Sequence, residues 1–87
     1  MNSWTIEYAN AARKELKVLP QRDAQRVRDA IGALATNPFP PGCKKLHGED
    51  ATYRMRVGDY RVLYEIHEKE VLILIVRVRH RKDAYNP

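Results

Sequence analysis

Residues 53–65 read Tyr53-Arg54-Met55-Arg56-Val57-Gly58-Asp59-Tyr60-Arg61-Val62-Leu63-Tyr64-Glu65, and the reading of this stretch decides the fold. Tyr53, Met55 and Val57 alternate with Arg54 and Arg56. After Gly58-Asp59, Tyr60, Val62, Tyr64 and Ile66 alternate with Arg61, Leu63 and Glu65. A period of two belongs to a strand with one buried face, and a short Gly-Asp turn between two such runs makes a β-hairpin. Downstream, His67 to Glu70 is the next turn and Val71 to Arg79 the next strand. The continuous apolar run at its start reads as a strand covered on both sides.

Upstream the period changes. Asn37 to Gly42, NPFPPG, carries three prolines and a glycine and reads as an ordered loop. Before it, Ala24, Val27, Ile31, Leu34 and Ala35 form the inner stripe of a helix that starts near Pro20, since proline suits a first helical turn. Ala9, Ala12, Leu16 and Leu19 form the stripe of a preceding helix with Arg13, Lys14 and Lys17 outside. Trp4, Ile6 and Tyr8 alternate as a short first strand. The expected architecture is therefore α+β, with an N-terminal strand and a helical hairpin packed on one face of a four-stranded, largely antiparallel sheet, as one domain over residues 1–87. Period-two counting then gathers Arg54, Arg56, Arg61, Arg77 and Arg79 on the opposite face or its rim, an assignment that a single bulge inverts.

The chain has 87 residues, with 16 Lys and Arg against 11 Asp and Glu for a formal net charge of +5. An excess of cations points to an anionic partner, nucleic acid being the commonest for a basic domain. The single cysteine, Cys43, makes no internal disulfide, which fits a reducing compartment. The N-terminal residues lack the apolar stretch of a signal peptide, and the longest apolar run is too short to span a bilayer. A soluble, cytoplasmic protein without a membrane partner is the expectation.

Several chemistries lack their residues. His47, His67 and His80 are scattered, and neither HExxH nor CxxC spacing occurs, so no metal site is expected. The four glycines are isolated, which removes the phosphate loops of nucleotide hydrolases, and Ser3 is the only serine. What remains is Lys44, Lys45, His47, Arg54, Arg56, Arg61, Arg77, Arg79, His80, Arg81, Lys82 and Tyr85. Arginine forks bind phosphate oxygens bidentately and stabilise the extra charge of a pentacoordinate transition state. RNA brings its own nucleophile, the 2′-OH, so cleavage needs alignment, charge stabilisation and proton transfer, and no cofactor. Tyr85 and the histidines are the proton-transfer candidates. Beside this stands the plainer reading of a solvated arginine face paired with acids such as Glu49 and Glu65, and of a basic domain that binds nucleic acid without cleaving it.

The order and spacing of Lys45-Leu46-His47-Gly48, Tyr53 to Val57, Gly58 to Glu65 and Val76 to Tyr85 closely resemble the RelE branch of the RelE/ParE toxin superfamily, and the likeness extends over nearly all of residues 3–85. The resemblance implies a toxin of a type II toxin–antitoxin pair that cleaves mRNA in the ribosomal A site without a metal. It also implies neutralisation by a cognate antitoxin, RelB-like or another short acidic protein with a DNA-binding half. By position, Arg61 matches the family's transition-state arginine, Arg81 the arginine just past the last strand, and Tyr85 the C-terminal catalytic tyrosine. Arg54 and Arg56 stand where relatives often carry lysines. Since arginine stays protonated, they act as charge clamps rather than proton acceptors. His80 is the second proton-transfer assignment, and Lys44, Lys45, His47, Arg77, Arg79 and Lys82 are assigned to RNA binding. The alternative is a ParE-like toxin that blocks gyrase by binding it.

Overall fold

The computed structural model describes residues 3–46 and 51–81. His47, Lys82 and Tyr85 lie outside the described residues. The chain runs β1 (Thr5–Tyr8), α1 (Asn10–Lys17), α2 (Gln21–Ala33), β2 (Lys44–Lys45), β3 (Thr52–Val57), β4 (Tyr60–His67) and β5 (Leu72–His80). The strands form one sheet in the order β1-β5-β4-β3-β2. β1 is parallel to β5 and every other pair is antiparallel. The α+β arrangement is the expected one, with five strands in place of four. The added strand, β2, sets Lys44 opposite Arg54 and Lys45 opposite Tyr53. Two consecutive lysines carry no hydrophobic period, and their pairing is imposed by β3.

β4 is the middle of the sheet. Tyr60, Val62, Tyr64 and Ile66 are buried on one face, joined by Met55 of β3 and by Ile73, Ile75 and Val78 of β5. The same cluster takes Ala12 and Leu16 from α1 and Val27, Ile31 and Leu34 from the α2 region, so both helices cover that face. Burying each of the larger aliphatic side chains contributes about 1.5–3 kcal/mol, the main force holding helices to sheet. Pro20 stands at the N-cap of α2, where its carbonyl accepts the Ala24 N–H at 2.9 Å, and Asp23 in the first turn complements the helix dipole. The loop ahead of β2 is tied to the core by Tyr64, whose hydroxyl donates to the Pro38 carbonyl at 3.0 Å. Burial pushes the Tyr64 phenol well above its ordinary pKa, so this donor stays protonated.

β5 departs from simple alternation. Tyr64 faces Ile75, whereas Leu63 faces Arg77, leaving Val76 as an inserted residue, a β-bulge. Counting by twos from Ile73 and Ile75 would place Arg77 and Arg79 in the core. The bulge shifts the parity, so that Val78 is buried and both arginines belong to the face away from the helices. At the start of the strand, Ile73 and Ile75 are buried under the helices. Leu72 and Leu74, opposite His67 and Glu65, are half-buried on the other face, so β5 is less covered there than its apolar run suggests.

The β4–β5 turn contains Val71 at φ 51°, a left-handed conformation costly for a β-branched residue. It is held because the Val71 carbonyl accepts the Thr5 N–H at 2.9 Å and its own N–H donates to Glu68 at 3.2 Å. Val71 is 40% exposed, so little packing offsets the strain. Val71→Asn is therefore expected to stabilise the fold by roughly 0.5–1 kcal/mol, read as a rise of roughly 2–8 °C in Tm. A fall in Tm would show that the turn is not strained.

Candidate functional site

The face away from the helices is ordered by strand register. Arg56 of β3, Arg61 of β4 and Arg79 of β5 stand directly opposite one another across three adjacent strands. A second row runs from Lys44 through Arg54 and Leu63 to Arg77. Neighbouring strands are about 4.8 Å apart, and like charges placed directly opposite oppose folding. Glu65, the acid on this face of β4, is bonded to its strand neighbour His67 at 2.9 Å. Such rows concentrate positive potential, which suits a polyanion.

Two clefts open along this surface. One, of about 300 Å³, is lined by Arg56, Gly58, Asp59, Tyr60, Arg61 and Arg81. The other, of about 340 Å³, is lined by Pro41, Gly42, Lys44, Arg54, Met55 and Arg56. Arg56 lines both, so the clefts adjoin.

The first cleft is built on the β3–β4 turn. Val57 pairs with Tyr60, so the turn has only Gly58 and Asp59 at its tip, and Gly58 adopts φ 60°, as a tight hairpin requires. Arg81, just past β5, is anchored by its N–H donating to the Asp59 carbonyl at 2.6 Å. That bond draws the end of β5 to the hairpin tip and brings Arg81 to the cleft with Arg61. From α2, Arg26 lays its guanidinium over Gly58, with Nη2 3.2 Å from where a Cβ would stand. Sequence periodicity places Arg26 on the outer side of α2; only the bare glycine hints at the approach.

Tyr60 donates its hydroxyl to Asp23 Oδ2 at 2.8 Å. This hydrogen bond, with burial and the nearby carboxylates of Asp23 and Asp59, raises its pKa, so Tyr60 remains a protonated structural wall. His80 is in register with Tyr60 and packs edge-on to it, ring centroids 5.2 Å apart. That register places His80 with the helix-side residues at the strand end, unlike Arg61 and Arg79. Arg77 is drawn to the sheet edge. Its Nη2 bonds Glu15 Oε2 at 2.9 Å, which raises the arginine pKa further, while Glu15 Oε1 accepts the Val78 N–H at 2.8 Å. The Arg79 Nε is 3.9 Å from the same carboxylate.

The structure thus brings Arg56, Arg61 and Arg81 to one cleft and Lys44, Arg54 and Arg56 to the next, with Arg79 completing the first row. Lys45 is exposed on β2, opposite Tyr53. Arg77 is committed to Glu15, an ion pair between residues far apart in sequence that local patterning does not reveal. Among the described residues, no group of three His, Cys, Asp or Glu side chains is placed to hold a metal ion, and no helix is long and apolar enough to cross a membrane.

Comparison with known proteins places this geometry in context. A family model described as the ParE toxin of the type II toxin–antitoxin system parDE matches residues 6–85. The chain is 34% identical over 97% of its length to the putative toxin RelE1 of Methanocaldococcus jannaschii, covering 98% of that protein. It is 39% identical over 94% of its length to the toxin RelG of Mycobacterium tuberculosis, covering 95% of it. Among solved structures, it superposes on the RelBE2 toxin–antitoxin complex of Mycobacterium tuberculosis with TM-score 0.79 at 34% identity, covering 91% of this chain and 99% of that one. For the archaeal RelE–RelB complex of Pyrococcus horikoshii the TM-score is 0.81 at 28% identity, with 91% and 96% covered.

The contact that an ionic-strength series can weigh is the pair between Arg77 and Glu15 at 2.9 Å. Glu15→Gln, which removes that charge, is expected to lower Tm in low salt by the equivalent of roughly 0.5–1 kcal/mol. In about 1 M salt, where screening acts over about 3 Å, the loss should shrink. Thermal melts at the two ionic strengths check this, and an unchanged Tm in low salt would contradict it.

Proposed function

The chain belongs to the ParE toxin family of type II toxin–antitoxin systems and is of the RelE type, and from that premise we propose that it is a metal-independent, ribosome-dependent mRNA endonuclease that inhibits translation. The observation that carries the reading is the Arg56–Arg61–Arg79 row beside the cleft that Arg61 shares with Arg81. A protein that acts by binding gyrase needs a complementary surface. A protein that cleaves RNA needs fixed cations around a phosphate.

The scissile phosphate sits in the first cleft. The ribose 2′-OH attacks the adjacent phosphorus, the P–O5′ bond breaks, and the products are a 2′,3′-cyclic phosphate and a 5′-hydroxyl. Arg61 and Arg81 clamp the nonbridging oxygens as their charge grows, and Arg56 neutralises the strand entering from the second cleft. The anchoring of Arg81 to the Asp59 carbonyl limits reorganisation during the reaction. The proton of the 2′-OH must leave and one must reach O5′. Tyr85 takes one of these transfers, and His80, packed against Tyr60, takes the other. Lys44, Lys45 and Arg54 contribute phosphate contacts along the strand, with His47 and Lys82 assigned there too. The cytoplasm, where ribosomes work, is the site of action.

The partner is a cognate RelB-like antitoxin. Solved structures of relatives include toxin–antitoxin complexes, among them a RelE–RelB complex, and a short acidic protein complements the arginine face by charge. Its binding makes the apparent Tm depend on antitoxin concentration.

Single-turnover cleavage of mRNA on programmed ribosomes separates the roles. Arg61→Ala, Arg81→Ala and Tyr85→Phe are each expected to lower the rate at saturation by about 30-fold to 1000-fold, equivalent to about 2–4 kcal/mol, with ribosome binding nearly unchanged. Lys44→Ala and Lys45→Ala should leave that rate intact, weaken association and each reduce its log–log salt slope by about 0.7–0.9. Parental rates in the arginine variants, or inhibition of gyrase with translation continuing, would overturn the reading.

A further inference from the structure

We propose that the second cleft is a base-binding subsite, seating the nucleobase of the nucleotide that adjoins the phosphate held between Arg61 and Arg81. The proposal rests on the ribonuclease reading above and assigns that site a substrate contact beyond the phosphate.

The two clefts differ in chemistry while sharing Arg56. The first is walled by three arginines, Asp59, the glycine turn and Tyr60, a setting for charge. The second sets the apolar ring of Pro41 beside the stems and heads of Lys44, Arg54 and Arg56, over a floor formed at Met55, whose side chain is buried in the core. A phosphate needs no apolar wall. A nucleobase has two apolar faces and a polar edge, and it stacks on guanidinium planes and flat rings while its sugar-phosphate remains among cations. At about 340 Å³ the cleft falls in the range of small-molecule sites. Because Arg56 lines both clefts, one guanidinium faces the base in the second and the phosphate in the first.

The wall is fixed before any ligand arrives. The Cys43 N–H donates to the Pro40 carbonyl at 3.1 Å, and Gly42 lies at φ 85°. Pro41 followed by a left-handed glycine is the signature of a type II turn, in which Pro41 has its φ locked. Two residues before this turn, the Pro38 carbonyl is held by the buried Tyr64 hydroxyl, and the Phe39 N–H donates to Asn37 Oδ1 at 3.0 Å. The ring of Phe39 packs edge-on against Tyr53, centroids 5.3 Å apart. A loop secured at so many points loses little freedom when a base stacks against it.

The test compares non-cleavable 2′-deoxy dinucleoside monophosphates, intact or with either base replaced by hydrogen, titrated into the ¹⁵N-labelled protein. One of the two abasic ligands should bind roughly tenfold more weakly than the intact one and should no longer shift the Gly42 and Lys44 amides. It should still shift those of Arg61 and Arg81. Pro41→Ser should bring the intact ligand down to the affinity of that abasic ligand, and the unchanged spectrum of the remaining residues would verify its fold. If both abasic ligands bind as well as the intact one, the subsite is wrong and the phosphate cleft stands. If binding is absent, or indifferent to Arg61→Ala, the ribonuclease reading fails and the subsite with it.

Discussion

The strict alternation of β4 is the constraint on which the rest of the molecule depends. As the central strand, it must present Tyr60, Val62, Tyr64 and Ile66 to the helices, and any one-residue slip would bury Arg61, Glu65 and His67 in their place. Hydrophobic burial therefore fixes the register with β3 and β5 more firmly than the hydrogen bonds alone could. Once that register is set, the position of every outward side chain follows. Arg61 is placed by the core beneath it, and Arg56 and Arg79 are placed by Arg61's strand partners.

Arg56, Arg61 and Arg79 stand in register across three strands, and a bulge at Val76 turns Arg77 and Arg79 to that outward face. The bulge lies just beyond the reach of β1, whose pairing ends with the Ala9 N–H donating to the Ile75 carbonyl at 2.9 Å. Past that point the edge of β5 would offer an open amide at Val78. Glu15 of α1 accepts it and pairs with Arg77, closing the edge with a charge where a strand stops short. One carboxylate thus satisfies the backbone, discourages stray strand pairing and holds Arg77 at the sheet edge, leaving Arg56, Arg61 and Arg81 around the cleft.

Much of this is legible in the sequence, because period-two and helical stripes are direct consequences of burial. The β3–β4 hairpin, both helices, the first strand and the outward facing of Arg54, Arg56 and Arg61 all follow from local pattern. The features that escape it are set by partners distant in the chain. β2 exists because β3 lends its edge to Lys44 and Lys45. The bulge at Val76 leaves no mark in an apolar run, and the change of phase from Ile73 and Ile75 to Val78 depends on it, although the outward facing of Arg79 is expected. The bond from Glu15 to Arg77 and the seat of Arg26 over Gly58 join helix to sheet, and neither has a spacing that could be read. Of the residues assigned to chemistry, Arg61 and Arg81 meet in one cleft through the Gly58-Asp59 turn, which the sequence shows, and through the Asp59–Arg81 backbone bond, which it does not.

The central claim is that these arginines serve attack by the RNA's own 2′-OH, with no activated water. Mapping the ends of mRNA cut on the ribosome tests it most directly, using one message with a ribose at the cut and another with a 2′-deoxyribose there. The expected result is a 2′,3′-cyclic phosphate facing a 5′-hydroxyl from the first message and no cleavage of the second. A 3′-hydroxyl facing a 5′-phosphate, or cleavage of the deoxy message, would contradict the account.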